Sequence, residues 1–110
     1  MTSKKSVNFT VVPDEPKDGE PVEKIYANFC AVSHTPFDFT LAFCEMPPLN
    51  EKQIREAPEG STQTILAPVK VKLVVPAQLV PALAAALQEN MRLYQESYSN
   101  VRWNPPDQVH

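Results

Sequence analysis

Between positions 37 and 44, Phe37, Phe39, Leu41 and Phe43 alternate with Asp38, Thr40, Ala42 and Cys44. That is the two-residue period of a strand with one strongly apolar face. The preceding stretch, 25–34, is apolar on both alternations, Ile25, Ala27, Phe29 and Ala31 against Tyr26, Cys30 and Val32, so it predicts a strand that wants cover on two sides. Thr35-Pro36-Phe37-Asp38 joins the two as a turn, because proline presets φ at its second position and Thr35 and Asp38 can bond the turn amides. A two-residue Pro36-Phe37 turn pairs Thr35 with Asp38 and, farther out, Cys30 with Phe43. The phenylalanine face is then shared with Tyr26, Cys30 and Val32, and Phe29, Ala31, Ala42 and Cys44 form a smaller apolar patch behind it.

After a polar excursion the pattern returns. Ile65, Ala67, Val69, Val71 and Leu73 alternate against Lys70 and Lys72, a third strand in which Pro68 signals an edge or a bulge. Pro76 suits a first helical position, and the Ala-, Leu- and Gln-rich residues after it predict a helix to about Tyr98, with Pro81 deleting one backbone bond and bending its first turns. Val80, Leu83, Leu87, Met91, Tyr94 and Tyr98 recur at helical steps as a core stripe, and Leu79, Ala82, Ala86 and Leu93 form a second, narrower one. The excursion, 47–64, has Leu49 and Ile54 as its apolar anchors and one short helical turn at 51–56.

Composition sharpens this picture in one respect. The chain has 110 residues, 43% of them hydrophobic and 21% charged, which suits one domain. Its 12 prolines and 2 glycines are spread so that most prolines fall outside the apolar segments. Setting those regions aside leaves about 60 residues of packed structure, a size at which folding buries only about 60% of the chain's surface and self-association is a natural expectation. The net charge of −3, with acids and bases interspersed, offers no dense field for a phosphate backbone. With no apolar run of signal-peptide or transmembrane length, a soluble, cytoplasmic protein is expected.

Several short motifs stand together: Tyr26-Ala27-Asn28, Thr35-Pro36-Phe37-Asp38-Phe39, Ala67-Pro68-Val69-Lys70-Val71, Pro76-Ala77-Gln78 and Leu87-Gln88-Glu89-Asn90. Over roughly 23–97 the chain resembles a small prokaryotic family catalogued as a domain of unknown function, family 3467. The resemblance implies an intracellular ββ-loop-βα protein with no established activity and no catalytic residues to carry over. Pro81 departs from the family's pattern, standing where a helix-favouring residue is common. In layout alone, the sheet and long helix are similar to the SecB-like export chaperones, which assemble into dimers and tetramers; this chain is shorter and has at most an equivocal fourth strand.

Candidate chemistry is sparse. Cys30 and His34 are four residues apart on one strand, about 13 Å at roughly 3.3 Å per residue, too far to share an ion. Cys30 and Cys44 read as reduced core cysteines on opposite faces of the hairpin. Asp38 reads as a turn residue and His34 as another. Asn28, amid apolar neighbours, needs hydrogen bonds for its amide. Trp103 reads equally as an indole docked on the sheet or on a partner and as part of a disordered tail.

The expected fold is therefore α+β: an antiparallel three- or four-stranded sheet (β-hairpin, long loop, strand) with one long C-terminal helix packed on one face. Residues 1–23 are expected to form a mobile leader with room for an edge strand, 24–99 a single ββ-loop-βα domain, and 100–110 a tail. The functional expectation is a non-enzymatic, homo-oligomeric, protein-binding or chaperone-like module. Its partner is itself, as a dimer or higher oligomer, and other proteins, with no catalytic residue, cofactor, metal, nucleic acid or membrane assigned. Candidate interface residues are Phe29, Ala31, Leu79, Ala82, Ala86, Leu93 and Trp103. The alternatives are a structural component of a larger assembly, or a small-molecule or metal-dependent enzyme whose Asn28, His34 or Asp38 would converge with groups from a neighbouring chain.

Overall fold

The computed structural model describes residues 4–99. Strand β1 (Phe29–His34) turns into β2 (Asp38–Cys44); helix α1 (Glu51–Glu56) lies in the excursion, and β3 (Val69–Pro76) leads into helix α2 (Leu79–Ser97). The sheet is antiparallel in the order β1-β2-β3. The architecture is α+β, with three strands rather than four among the described residues. The Val7–Val12 patch pairs with no strand, and its Phe9 and Val11 side chains are exposed.

The hairpin forms as its turn chemistry dictates. Thr35 Oγ1 accepts from the amides of Phe37 at 3.1 Å and Asp38 at 3.2 Å and donates to Asp38 Oδ1 at 2.8 Å, while the Thr35 amide donates to the Asp38 carbonyl at 2.9 Å. The register follows from that two-residue turn: Cys30 faces Phe43, Val32 faces Leu41 and Phe29 faces Cys44. Strand β1 begins later than the apolar run does. The Asn28 amide donates to the Cys44 carbonyl at 3.0 Å and Asn28 Oδ1 accepts from the Met46 amide at 2.7 Å, so an asparagine clamps the open end of the hairpin and Ile25 to Ala27 lie outside the ladder.

Strand β3 is shifted toward the C-terminus, leaving Ile65 and Ala67 outside it. Pro68 has no amide to give a ladder, and the pairing with β2 slips between Phe43 and Cys44, a bulge immediately after that proline. The Glu45 amide still reaches the Pro68 carbonyl at 3.1 Å. Pro76 is the last residue of β3, not the first of the helix. Pro81 is the third residue of α2, within the first turn, where amides have no intrahelical acceptor, so it removes no helix bond. Helix α1 carries a full capping box: Asn50 Oδ1 accepts from the Gln53 amide at 2.7 Å and Gln53 Oε1 from the Asn50 amide at 3.1 Å.

The largest departure concerns packing. Ala77 and Gln78 carry the chain from β3 into α2 with no residue of positive φ to fold it back. Val80 and Leu83 are half-buried, but from Ala84 onward every described residue of α2 is exposed. The helix is thus not packed along a sheet face of its own chain. Among the described residues the one buried side chain is Cys44, 5% exposed, at the bulge. The chain presents 11047 Å² of accessible surface, where a compact monomer of its mass would show about 6,100 Å². Its radius of gyration is 20.8 Å, against about 13 Å for a compact domain of this length. Part of that excess belongs to the exposed 4–28 segment.

Candidate protein-interaction surface

Three apolar surfaces lie uncovered. On one sheet face, β2 contributes Phe39, Leu41 and Phe43, flanked in register by Val32 of β1 and Leu73 of β3. The central strand's side chains are sheltered by their neighbours, but Val32 is 59% and Leu73 47% exposed. His34 stacks on Phe39 at this face's turn end, ring centroids 5.3 Å apart. The opposite face carries Phe29, Ala31, Ala42 and Val74, with Lys72 crossing it, and Lys70 lies 3.8 Å from Glu45.

The third surface is α2. At 3.6 residues per turn, its apolar side chains cover about half the circumference, and Gln88, Glu89, Arg92, Gln95 and Glu96 the rest. On that polar side Arg92 bridges Glu89 at 2.6 Å and Glu96 at 2.8 Å. The hydrogen bond from Arg92 holds the Glu89 carboxyl below its usual pKa, and the same bond raises that of Arg92. The apolar side faces solvent, with Leu87 64% and Met91 55% exposed, and Tyr94 and Tyr98 in contact at 5.2 Å between centroids. Asn90 interrupts it one turn beyond Leu87; its amide nitrogen donates to the Ala86 carbonyl at 2.9 Å. A polar residue flanked by apolar ones at helical spacing was its signal in the sequence.

The candidate interface residues fall on two of these surfaces. Phe29 and Ala31 share the sheet face of Ala42 and Cys44, and Leu79, Ala82, Ala86 and Leu93 occupy one side of α2. All six are exposed. Trp103 and the tail lie outside the described residues. Both cysteines are free, but Cys30 is exposed rather than in a core, because no described element packs over the face it points from. Asn28, His34 and Asp38 do not converge within the chain. Asn28 and His34 flank opposite ends of β1, about 20 Å apart at 3.3 Å per residue, and each has local work: Asn28 on Met46, His34 on Phe39, Asp38 on Thr35. No group of metal-ligating side chains assembles among the described residues, and none of their helices is long and apolar enough to cross a membrane.

Residues 2–102 match the profile of a family described as "Protein of unknown function (DUF3467)". No curated protein and no solved structure gives a significant match.

Proposed function

The chain belongs to the DUF3467 family of proteins of unknown function, and on that premise we propose that it is a homo-oligomeric protein-binding module whose fold is completed by further copies of itself. One observation carries this reading: among the described residues a single side chain, Cys44, is buried. Folding is sustained by apolar area removed from water, at about 25 cal/mol per Å², and one buried residue beside a half-buried central strand offers little against the conformational entropy of ordering three strands and a 19-residue helix. The exposed apolar half of α2 and the Val32–Leu73 face supply the missing area once a second chain covers them.

Apolar surface left over after assembly is suited to extended apolar segments of other proteins, the chaperone-like part of the reading. Sedimentation velocity of the purified chain, alone and with an aggregating unfolded protein, tests both parts. The expected result is a discrete oligomer that suppresses aggregation at stoichiometric amounts. A discrete oligomer without suppression removes the client-binding part, and a monomer removes the whole.

A further inference from the structure

The two outer edges of the sheet are built differently. Strand β3 is guarded: Pro68 precedes it, Pro76 ends it, and Lys70 and Lys72 lie along it. Proline and lysine are the residues that blunt a sheet edge against further pairing. Strand β1, Phe-Cys-Ala-Val-Ser-His, has no proline, no lysine or arginine and no acid, and its pairing with β2 over 29–34 carries no register shift. Among the described residues no backbone bond outside the sheet ladder reaches Phe29 to His34.

Which groups are free follows from the ladder. The Thr35 amide bonds β2, so with the two-residue alternation of an antiparallel pair, Ser33 and Ala31 also turn their backbone groups inward, while His34, Val32 and Cys30 turn theirs outward. These three positions are symmetric about Val32. The phase changes only beyond Phe29, where the Asn28 amide also reaches the carbonyl of Cys44, the residue paired with Phe29.

We propose that β1 pairs with β1 of a second copy, antiparallel about a two-fold axis at Val32. Resting on the self-association reading, this names its first contact. Val32 then faces the partner's Val32, and Cys30 faces the partner's His34, forming about six backbone hydrogen bonds in three reciprocal pairs. Every outward group of the strand's centre is used, with none left over at either end. Directly paired residues lie on the same face, so the Phe39, Leu41 and Phe43 surfaces of both chains merge into one apolar face on a six-stranded sheet. A strand from an unrelated protein would satisfy the same bonds without joining the two apolar faces, which is why a second copy is the fitting occupant.

The test uses the full chain. Val32→Pro removes one outward amide per chain and none that bonds β2, a substitution an edge strand tolerates; it is expected to weaken self-association by about tenfold or more, since two symmetric bonds are lost. In parallel, Val32→Cys in a Cys30→Ser background takes a spin label whose side chain lies on the sheet face rather than in the edge. With backbones about 5.5 Å apart at Val32, the two labels should broaden each other's continuous-wave spectrum, and dilution with unlabelled chain should sharpen it. An unbroadened spectrum in a sample that sediments as an oligomer, or an unchanged association constant for Val32→Pro, overturns the edge pairing and leaves the self-association reading standing. A wild-type monomer removes both.

Discussion

The Thr35–Asp38 turn and the C-terminal half of α2 are built from equally characteristic sequence, but only the turn is finished inside one chain. In the turn, each polar group finds its partner within four residues: one threonine hydroxyl accepts two amides and donates to a carboxylate. On α2 the polar side is likewise complete, with Arg92 held between Glu89 and Glu96. Among the described residues nothing lies against the apolar side; Leu87 and Met91 are exposed although their spacing is that of a buried stripe. Hydrogen bonds here are local and closed, and apolar burial is distant and open. On the proposed reading, such a chain specifies its elements alone and its core only in company.

The largest effect that would break this contrast comes from the open side. Leu87→Asp together with Met91→Asp should weaken self-association by about 3 to 6 kcal/mol, the burial of two large apolar side chains, read as a shift of the sedimentation isotherm. A variant that assembles like wild type would mean that the stripe is not the covered surface. Next is Leu41→Ala on the central strand. If an assembled partner covers the face, it should cost about 2 to 5 kcal/mol in chemical denaturation, with a midpoint that rises with protein concentration. A cost well below that range would leave Leu41 as half-exposed as the single chain has it.

The closed side should respond differently. Thr35→Ala loses the bonds to Phe37, Asp38 and the Asp38 carboxylate and should cost about 1 kcal/mol, with no change in the association constant. A change in assembly would tie the turn to the interface. The smallest effect is electrostatic. The Glu89 pKa is lowered in the folded chain, so its contribution is present above the ordinary glutamate pKa and disappears as pH falls through the lowered one. Arg92 shifts upward through the same bond, so its share is present below the pKa of an unfolded arginine only while Glu89 is ionised. Far-ultraviolet circular dichroism should therefore show a slight acid-side loss of helix that Glu89→Gln abolishes. Because both side chains are exposed, salt should mask it.

These differences also explain what was legible beforehand. The turn, the hairpin register, the 51–56 helix and the opposite facing of Cys30 and Cys44 depend on residues close in sequence and could be read from them. The start of β3 could not, because Ile65 and Ala67 continue the alternation through Pro68 although the ladder begins only after it. Nor could the start of β1, where Asn28 uses its side chain to close the hairpin. The two stripes of α2 were visible, but periodicity identifies a face that wants burial without saying which chain buries it. The candidate residues Phe29, Ala31, Leu79, Ala82, Ala86 and Leu93 are accordingly exposed residues on two elements, and the proposed edge of β1 was not among them because its signal is an absence of charge and proline.

The most direct measurement is equilibrium sedimentation across a wide dilution series, with circular dichroism on the same samples. At micromolar concentration the mass should be a whole multiple of 12.3 kDa, and sheet and helix signals should fall together as the oligomer dissociates. A 12.3 kDa species that keeps both signals and unfolds cooperatively at every concentration would contradict the account.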